Sequence, residues 1–261
     1  MQEIAVEVTG EIINFREYLE IAQKAARKAG EILLYEFKNG TTINKNCGRD
    51  IKLQADKNAE KVILDILSSE TNIPILSEEA GSLKTDSNNS CLWIVDPLDG
   101  SLNFLRNISI NCISIALWEN SKPILGVIYD FLHDNMYIGE VSSGASLNGK
   151  KILVSEIIDI SQSILCTGFP VYSDFDTASL NKFVKKIQEF KKIRLLGSAA
   201  FSLSLVAQGS VECYKEDNIA IWDVAAGIAL VLAAGGKVSY EEGKEQNLLN
   251  VVAHNGYLDL N

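Results

Sequence analysis

The chain has 261 residues, 47% of them hydrophobic and 22% charged, which supplies a sizeable core and argues against disorder. Its 24 basic side chains against 34 acidic ones leave a net charge of −10, so a nucleic-acid backbone or an anionic membrane surface is excluded as the main partner. Five cysteines, Cys47, Cys91, Cys112, Cys166 and Cys213, form no C-x-x-C pair and read as reduced structural thiols. Residues 1–10 carry acids where a secretory signal carries a basic flank. The longest uncharged apolar run, residues 224–236, is 13 residues against the roughly 20 that span a bilayer. A soluble, cytoplasmic protein is expected.

Phe15, Leu19, Ala22, Ala26, Ala29, Leu33 and Phe37 recur at three- and four-residue steps, which predicts an amphipathic helix over residues 14–37 ended by Asn39-Gly40. The polar run 41–50 reads as a mobile loop. A second helix is expected over 56–69, with Ala59, Val62, Ile63 and Ile66 inward. Residues 110–118, 123–129 and 136–138 are short apolar runs between turns and predict neighbouring strands. A strand at 164–167, helices at 177–189 and 199–208, a strand at 211–214 and a helix at 223–234 follow, the last capped by Gly235-Gly236. The mixture implies layered helices and sheets, dividing near 145–160 into halves 1–150 and 151–261 of one compact unit.

One segment carries most of the chemistry: Trp93-Ile94-Val95-Asp96-Pro97-Leu98-Asp99-Gly100-Ser101-Leu102-Asn103-Phe104. An apolar strand ends in an acid, Pro97 stiffens a turn, and a second acid and a glycine lead into a helix start. The turn places Asp96 and Asp99 to converge on one cation, with the Leu98 carbonyl beside them. Mg²⁺ takes such oxygen ligands and keeps several waters. The N–H groups of Gly100 and Ser101 offer a seat for phosphate. Taken alone, the segment describes a capped turn without metal equally well. Glu78 and Glu79 follow another apolar strand, where a solvated turn is the simplest account. Asp223 opens a nearly all-apolar helix, where an acid also complements the helix dipole by about 0.3–1 kcal/mol.

Together these segments resemble the inositol monophosphatase family of Mg²⁺-dependent, lithium-sensitive phosphatases. The likeness spans most of the chain: the helix with Asp56, the Glu78-Glu79 pair, the block 96–104 and the block 222–236 occur in the family's order. Gly144-Ala145 with Leu147-Asn148-Gly149, Thr167-Gly168-Phe169-Pro170, and Arg194 with Gly197-Ser198-Ala199-Ala200 are also similar to it. The resemblance implies a layered α-β-α-β-α sandwich of the sugar phosphatase type, two or three Mg²⁺ ions, a small-molecule phosphate ester as substrate and a homodimer. It implies Glu78, Asp96, Asp99, Asp223 and the Leu98 carbonyl as metal ligands, with Asp56 and Ser101 orienting the attacking water. Glu79 is implied as a supporting acid or a ligand to a weaker third ion. Gly100, Ser101, Ala199 and Glu216 are implied as substrate contacts.

The sequence D-P-L-D-G-S-x-N-F resembles members acting on both inositol-1-phosphate and fructose-1,6-bisphosphate. A 3′(2′),5′-bisphosphate nucleotidase is the alternative, and a non-catalytic phosphosugar- or metal-binding relative the second. A bisphosphate needs a second anion site, for which Arg194, Lys215, Arg106 and Tyr172 are candidates. His133 and His254 lack metal-ligand spacing and read as surface or structural. No G-x-S-x-G elbow supports acyl transfer. Trp222 is expected to pack beneath the metal site rather than face substrate.

Overall fold

A computed structural model describes residues 7–8, 11–12, 15–47, 50–83, 90–169 and 176–260. Two short strands, β1 (Glu7–Val8) and β2 (Glu11–Ile12), pair ahead of α1 (Phe15–Asn39). The buried face of α1 is Ile21, Ala22, Ala25, Ala26, Ala29, Gly30 and Leu33, the stripe that its apolar spacing prescribes. The run 41–50 is not a plain loop. A hairpin of β3 (Ile43–Cys47) and β4 (Asp50–Leu53) covers most of it and leads into α2 (Gln54–Glu70). Its residues, Ile-Asn-Lys-Asn-Cys and Asp-Ile-Lys-Leu, lack the apolar alternation that announces a strand.

Next come β5 (Ile75–Ser77), β6 (Gly81–Leu83), β7 (Cys91–Asp99) and the short α3 (Ser101–Leu105). Then β8 (Cys112–Glu119), β9 (Lys122–Asp130), β10 (Asn135–Glu140), β11 (Gly144–Leu147) and β12 (Lys150–Ile152) form a meander. A 3₁₀ turn at Ile160–Gln162 precedes β13 (Ile164–Thr167), α4 (Thr177–Ile187), β14 (Lys192–Arg194) and α5 (Ala199–Ala207). The chain closes with β15 (Cys213–Ala220), α6 (Ile221–Ala233), β16 (Lys237–Glu242) and β17 (Leu248–His254). β15 is longer than its apolar part, because the polar stretch Lys215-Glu216-Asp217-Asn218 continues the strand through a break in register between Glu216 and Ile219.

Eight strands form one sheet in the order β12-β11-β10-β9-β8-β7-β5-β6, and five form a second in the order β14-β13-β15-β17-β16. β8 shows how the layers assemble. Its odd residues, Ile113, Ile115 and Leu117, join the core beneath α1 and α2, while Cys112 and Ala116 join the core containing α5 and α6. That second core also takes Tyr214, Val251 and Ala253 from the smaller sheet, so α5 and α6 lie between the sheets. Leu165 and Cys213 turn to the far side, where Ile187 of α4 packs. The order of layers is therefore α-β-α-β-α, as the resemblance implies. Cys91, Cys112, Cys166 and Cys213 are buried free thiols, and burial raises the pKa of each, which suits packing rather than nucleophilic roles. Among the described residues no helix is long and apolar enough to cross a membrane.

Candidate active site

β5 and β7 run parallel and adjacent, with Ser77 opposite Val95, so their C-terminal ends deliver Glu78 and Asp96 to the same edge. Asp96 and Asp99 are three residues apart, and in a regular strand they would point to opposite faces. The strand continues through Asp99 instead of turning, but it carries a bulge. Asp96 pairs with Ser114 and Asp99 with Cys112, leaving Pro97 and Leu98 opposite the single residue Ile113. Since Ser114 and Cys112 share a face, the extra residue brings both acids to the α5–α6 side. Gly100 follows at φ 90, and a Cβ there would lie 2.8 Å from the Ile110 carbonyl oxygen, so only glycine fits.

Asp223 enters from the first turn of α6, and Asp99 is gripped by the start of α5. Ser198 donates its hydroxyl to Asp99 Oδ2 at 2.6 Å, and the Ala200 N–H donates to the same oxygen at 2.7 Å. Glu60 of α2 holds the turn bearing Glu78 and Glu79. Its Oε1 accepts from the Ser77 hydroxyl, from the Glu79 N–H at 3.2 Å and from the Ala80 N–H at 2.9 Å.

The acids raise one another's pKa values. Burial, with the Asp56 and Glu79 charges and despite Lys52, lifts the Glu78 carboxyl to about 8. Burial and the charges of Glu78, Asp99 and Asp223 push Asp96 well above the usual range. Asp223 is likewise raised by burial and by Asp99, Glu78 and Glu216. Burial lifts Asp99 only to about 6, because Ser198 and the N–H groups of Ala200, Ala199 and Phe201 stabilise its ionised form. Asp96 shares hydrogen bonds with Glu78 and Asp223. Two carboxyl groups bond in this way only when a proton lies between them. No three His, Cys, Asp or Glu side chains among the described residues form a ready-made cation cage. Charge of this density, all of it on hard oxygen donors, fits divalent cations in place of those protons.

Asp56 lies at the third position of α2. Its Oδ2 accepts from the Leu53 N–H, and its Oδ1 lies 2.9 Å from Ser101 Oγ. Ser101 Oγ also lies 2.9 Å from the Leu98 carbonyl oxygen. Burial raises the Asp56 carboxyl to about 7.

A cavity of about 490 Å³ opens beside the acids, lined among others by Glu78, Asp99, Ala199, Glu216 and Asp223. Glu216 is buried there, accepts from the Tyr214 hydroxyl at 2.8 Å, and has its carboxyl lifted to about 7 chiefly by burial. Gly168 makes this possible, since a Cβ at that position would come within 2.6 Å of Glu216 Oε1.

The structure thus gathers Glu78, Asp96, Asp99 and Asp223, brings Asp56 to Ser101, and sets Ala199 and Glu216 on the cavity wall. Arg194 is not at the cavity. It is exposed on β14, donating to the neighbouring Ile193 carbonyl at 3.0 Å. Arg106 is exposed, Lys215 is outside the cavity lining, and Tyr172 lies outside the described residues. Trp222 packs against the core, yet it also lines the cavity, contrary to expectation. His133 pairs with buried Asp130 at 2.9 Å, and His254 accepts from the Gly256 N–H, both structural roles. Sequence reasoning missed Lys52, Glu60, Asn103 and Ser198. Asn103 ties α3 to the loop before α5 by donating to the Ile110 and Leu196 carbonyls, each at 2.8 Å. Only its place in the 96–104 block singled it out.

Layers and acid edge together define an α+β protein of the sugar phosphatase type. The profile of the Inositol monophosphatase family matches residues 14–258, and the chain belongs to that family. Among its relatives, the Nus factor SuhB of Xylella fastidiosa is 37% identical over 231 residues, covering 87% of this chain and 83% of its own length. The fructose-1,6-bisphosphatase/inositol-1-monophosphatase of Thermotoga maritima is 34% identical over 246 residues, covering 92% of each. The solved inositol monophosphatase of Anabaena (Nostoc) superposes with a TM-score of 0.80 at 34% identity, covering 94% of this chain and 93% of that one.

Proposed function

We propose that this protein is a Mg²⁺-dependent phosphomonoesterase acting on a small polyol or sugar phosphate. The observation that carries this reading is the convergence of four carboxylates from the ends of β5 and β7 and the start of α6, three of which, Glu78, Asp99 and Asp223, line the cavity. Glu78, Asp96, Asp99, Asp223 and the Leu98 carbonyl would hold the ions. When bound, the ions lower the pKa of water and neutralise phosphoryl and leaving oxygens.

The chain's own residues handle the proton and the substrate. Ser101 has one hydroxyl proton and two neighbouring acceptors, Asp56 Oδ1 and the Leu98 oxygen. While Asp56 is ionised, Ser101 donates to it. Once Asp56 takes a proton, it donates to Ser101 Oγ, which turns its own proton to Leu98. A carboxyl near 7 can accept and return that proton at neutral pH. Gly100 and Ser101 N–H groups would receive phosphate oxygens, while Ala199 and Glu216 would meet the alcohol portion.

Lys52 is the one Lys or Arg lining the cavity among the described residues, and it is already paired with Glu79. That favours a monophosphate such as inositol-1-phosphate over fructose-1,6-bisphosphate or a nucleotide bisphosphate, which need a second cationic site. A cytoplasmic homodimer is part of the same proposal. Phosphate release from inositol-1-phosphate, fructose-1,6-bisphosphate and adenosine 3′,5′-bisphosphate, with and without Mg²⁺, tests it. Mg²⁺-dependent turnover fastest on the first is expected, and a strong preference for the adenosine compound would refute the substrate reading. The name Nus factor carried by a relative supports a second reading, a non-catalytic regulator. The complete carboxylate set weighs against it, and silence across a broad monoester panel would restore it.

A further inference from the structure

The polar hairpin β3–β4 brings a positive charge to the acid edge. Lys52 Nζ lies 2.6 Å from Glu79 Oε1, and the two side chains are only 23% and 6% exposed. The same ammonium draws down the carboxyls of Glu78 and Asp56 against the effect of burial. On the other side, the N–H of Glu79 is anchored to Glu60. A sheltered ion pair resists exchange, because separating it strands a charge of either sign. A divalent ion approaching Glu79 would meet a carboxylate already neutralised and an ammonium in its path.

We propose that Lys52 is a resident cation of this site: its ammonium fills the place beside Glu79 that a third divalent ion would otherwise take, so the protein binds two such ions. This rests on the metal-dependent reading above. Lys52 is then a positioning residue. It compensates the acid Glu79 and leaves Glu78, Asp96, Asp99 and Asp223 to the ions. It also makes ion stoichiometry a property of the hairpin.

The test is a titration with Mn²⁺ alone, reading free Mn²⁺ by its electron paramagnetic resonance signal, on the full chain and its variants. Wild type is expected to bind two ions. Lys52→Met is expected to gain a third site at least tenfold tighter than any further binding in wild type, with Lys52→Gln as a second neutral replacement should Met perturb the hairpin. Lys52→Arg, which keeps the charge, should stay at two. Lys52→Met combined with Glu79→Gln should lose the gained site. Three tight ions in wild type, or unchanged binding in both neutral variants, overturns the assignment of Lys52 while leaving the metal-dependent reading intact. No Mn²⁺ binding by wild type overturns both.

Discussion

Without divalent cations, the protein should lose stability as the pH rises from about 5 to about 8, and Mg²⁺ should restore it. Asp56 shows the size of the effect. Its carboxyl moves from an ordinary 3.8 to about 7, because burial disfavours the charged form more than the Leu53 N–H, Ser101 and Lys52 favour it. An acid whose pKa is raised by folding binds more protons in the folded chain than in the unfolded one. Its contribution is therefore complete below the unfolded value and is lost as the pH climbs through the folded one. Of that shift of about three units, about two are traversed between pH 5 and 8, a stability loss on the order of 3 kcal/mol. For a chain of this length that is about 10 °C in melting temperature.

Glu78, Asp99 and Glu216, raised to about 8, 6 and 7, share much of the same repulsion, so their effects do not add. A fall of about 10 °C is thus expected for the whole cluster. Saturating Mg²⁺ at a hundred times its dissociation constant returns about 2.7 kcal/mol per ion. Differential scanning calorimetry in EDTA across this pH range, repeated with Mg²⁺, reads both effects. A melting temperature flat between pH 5 and 8 in EDTA, with no rise on adding Mg²⁺ at the upper end, would refute the reasoning.

Asp99→Asn keeps the shape and the α5 contacts but removes a charge facing the ions. Phosphate release should fall by about a hundred- to a thousandfold with the melting temperature in EDTA at pH 8 preserved or raised, and near-normal Mg²⁺-dependent activity would end the assignment. Glu60→Ala strips the turn of the oxygen that accepts from Ser77, Glu79 and Ala80. Mn²⁺ affinity should weaken by about 10- to 100-fold, while Glu60→Gln, which retains an acceptor, should lose less. Gly168→Ala drives a methyl against the Glu216 carboxylate and should raise KM for the polyol phosphate about tenfold with a smaller change in kcat. An unchanged KM would remove Glu216 from the substrate contacts.

The acids themselves were legible in the chain, and so were most helices and strands, since apolar spacing in α1, β8 and α6 follows from which faces are buried. The convergence of Asp96 and Asp99 was expected from a turn, but its actual cause was not legible. Asp96 and Asp99 share a side because a bulge opposite Ile113 resets the strand's alternation, and no local signal within Pro97-Leu98 specifies which partner residue is skipped. Glu216 was singled out by resemblance, but the expected strand stopped at residue 214, because the polar residues that continue it are buried only by pairing with β17 and by facing the cavity. Arg194 was a candidate for a second anion site by its segment and its charge, and its strand leaves it at the surface.

What the linear sequence determined, then, is composition, the apolar faces of most helices and strands and the supply of carboxylates, each an additive consequence of residue type and local period. Its net charge of −10 follows from the same count of residue types. What the tertiary structure decided is how those acids are brought together, which are restrained by Ser198 or Glu60, and that Lys52 comes to rest against Glu79. Buried charge is costly unless compensated, and compensation depends on distances across the fold that separation along the chain does not encode.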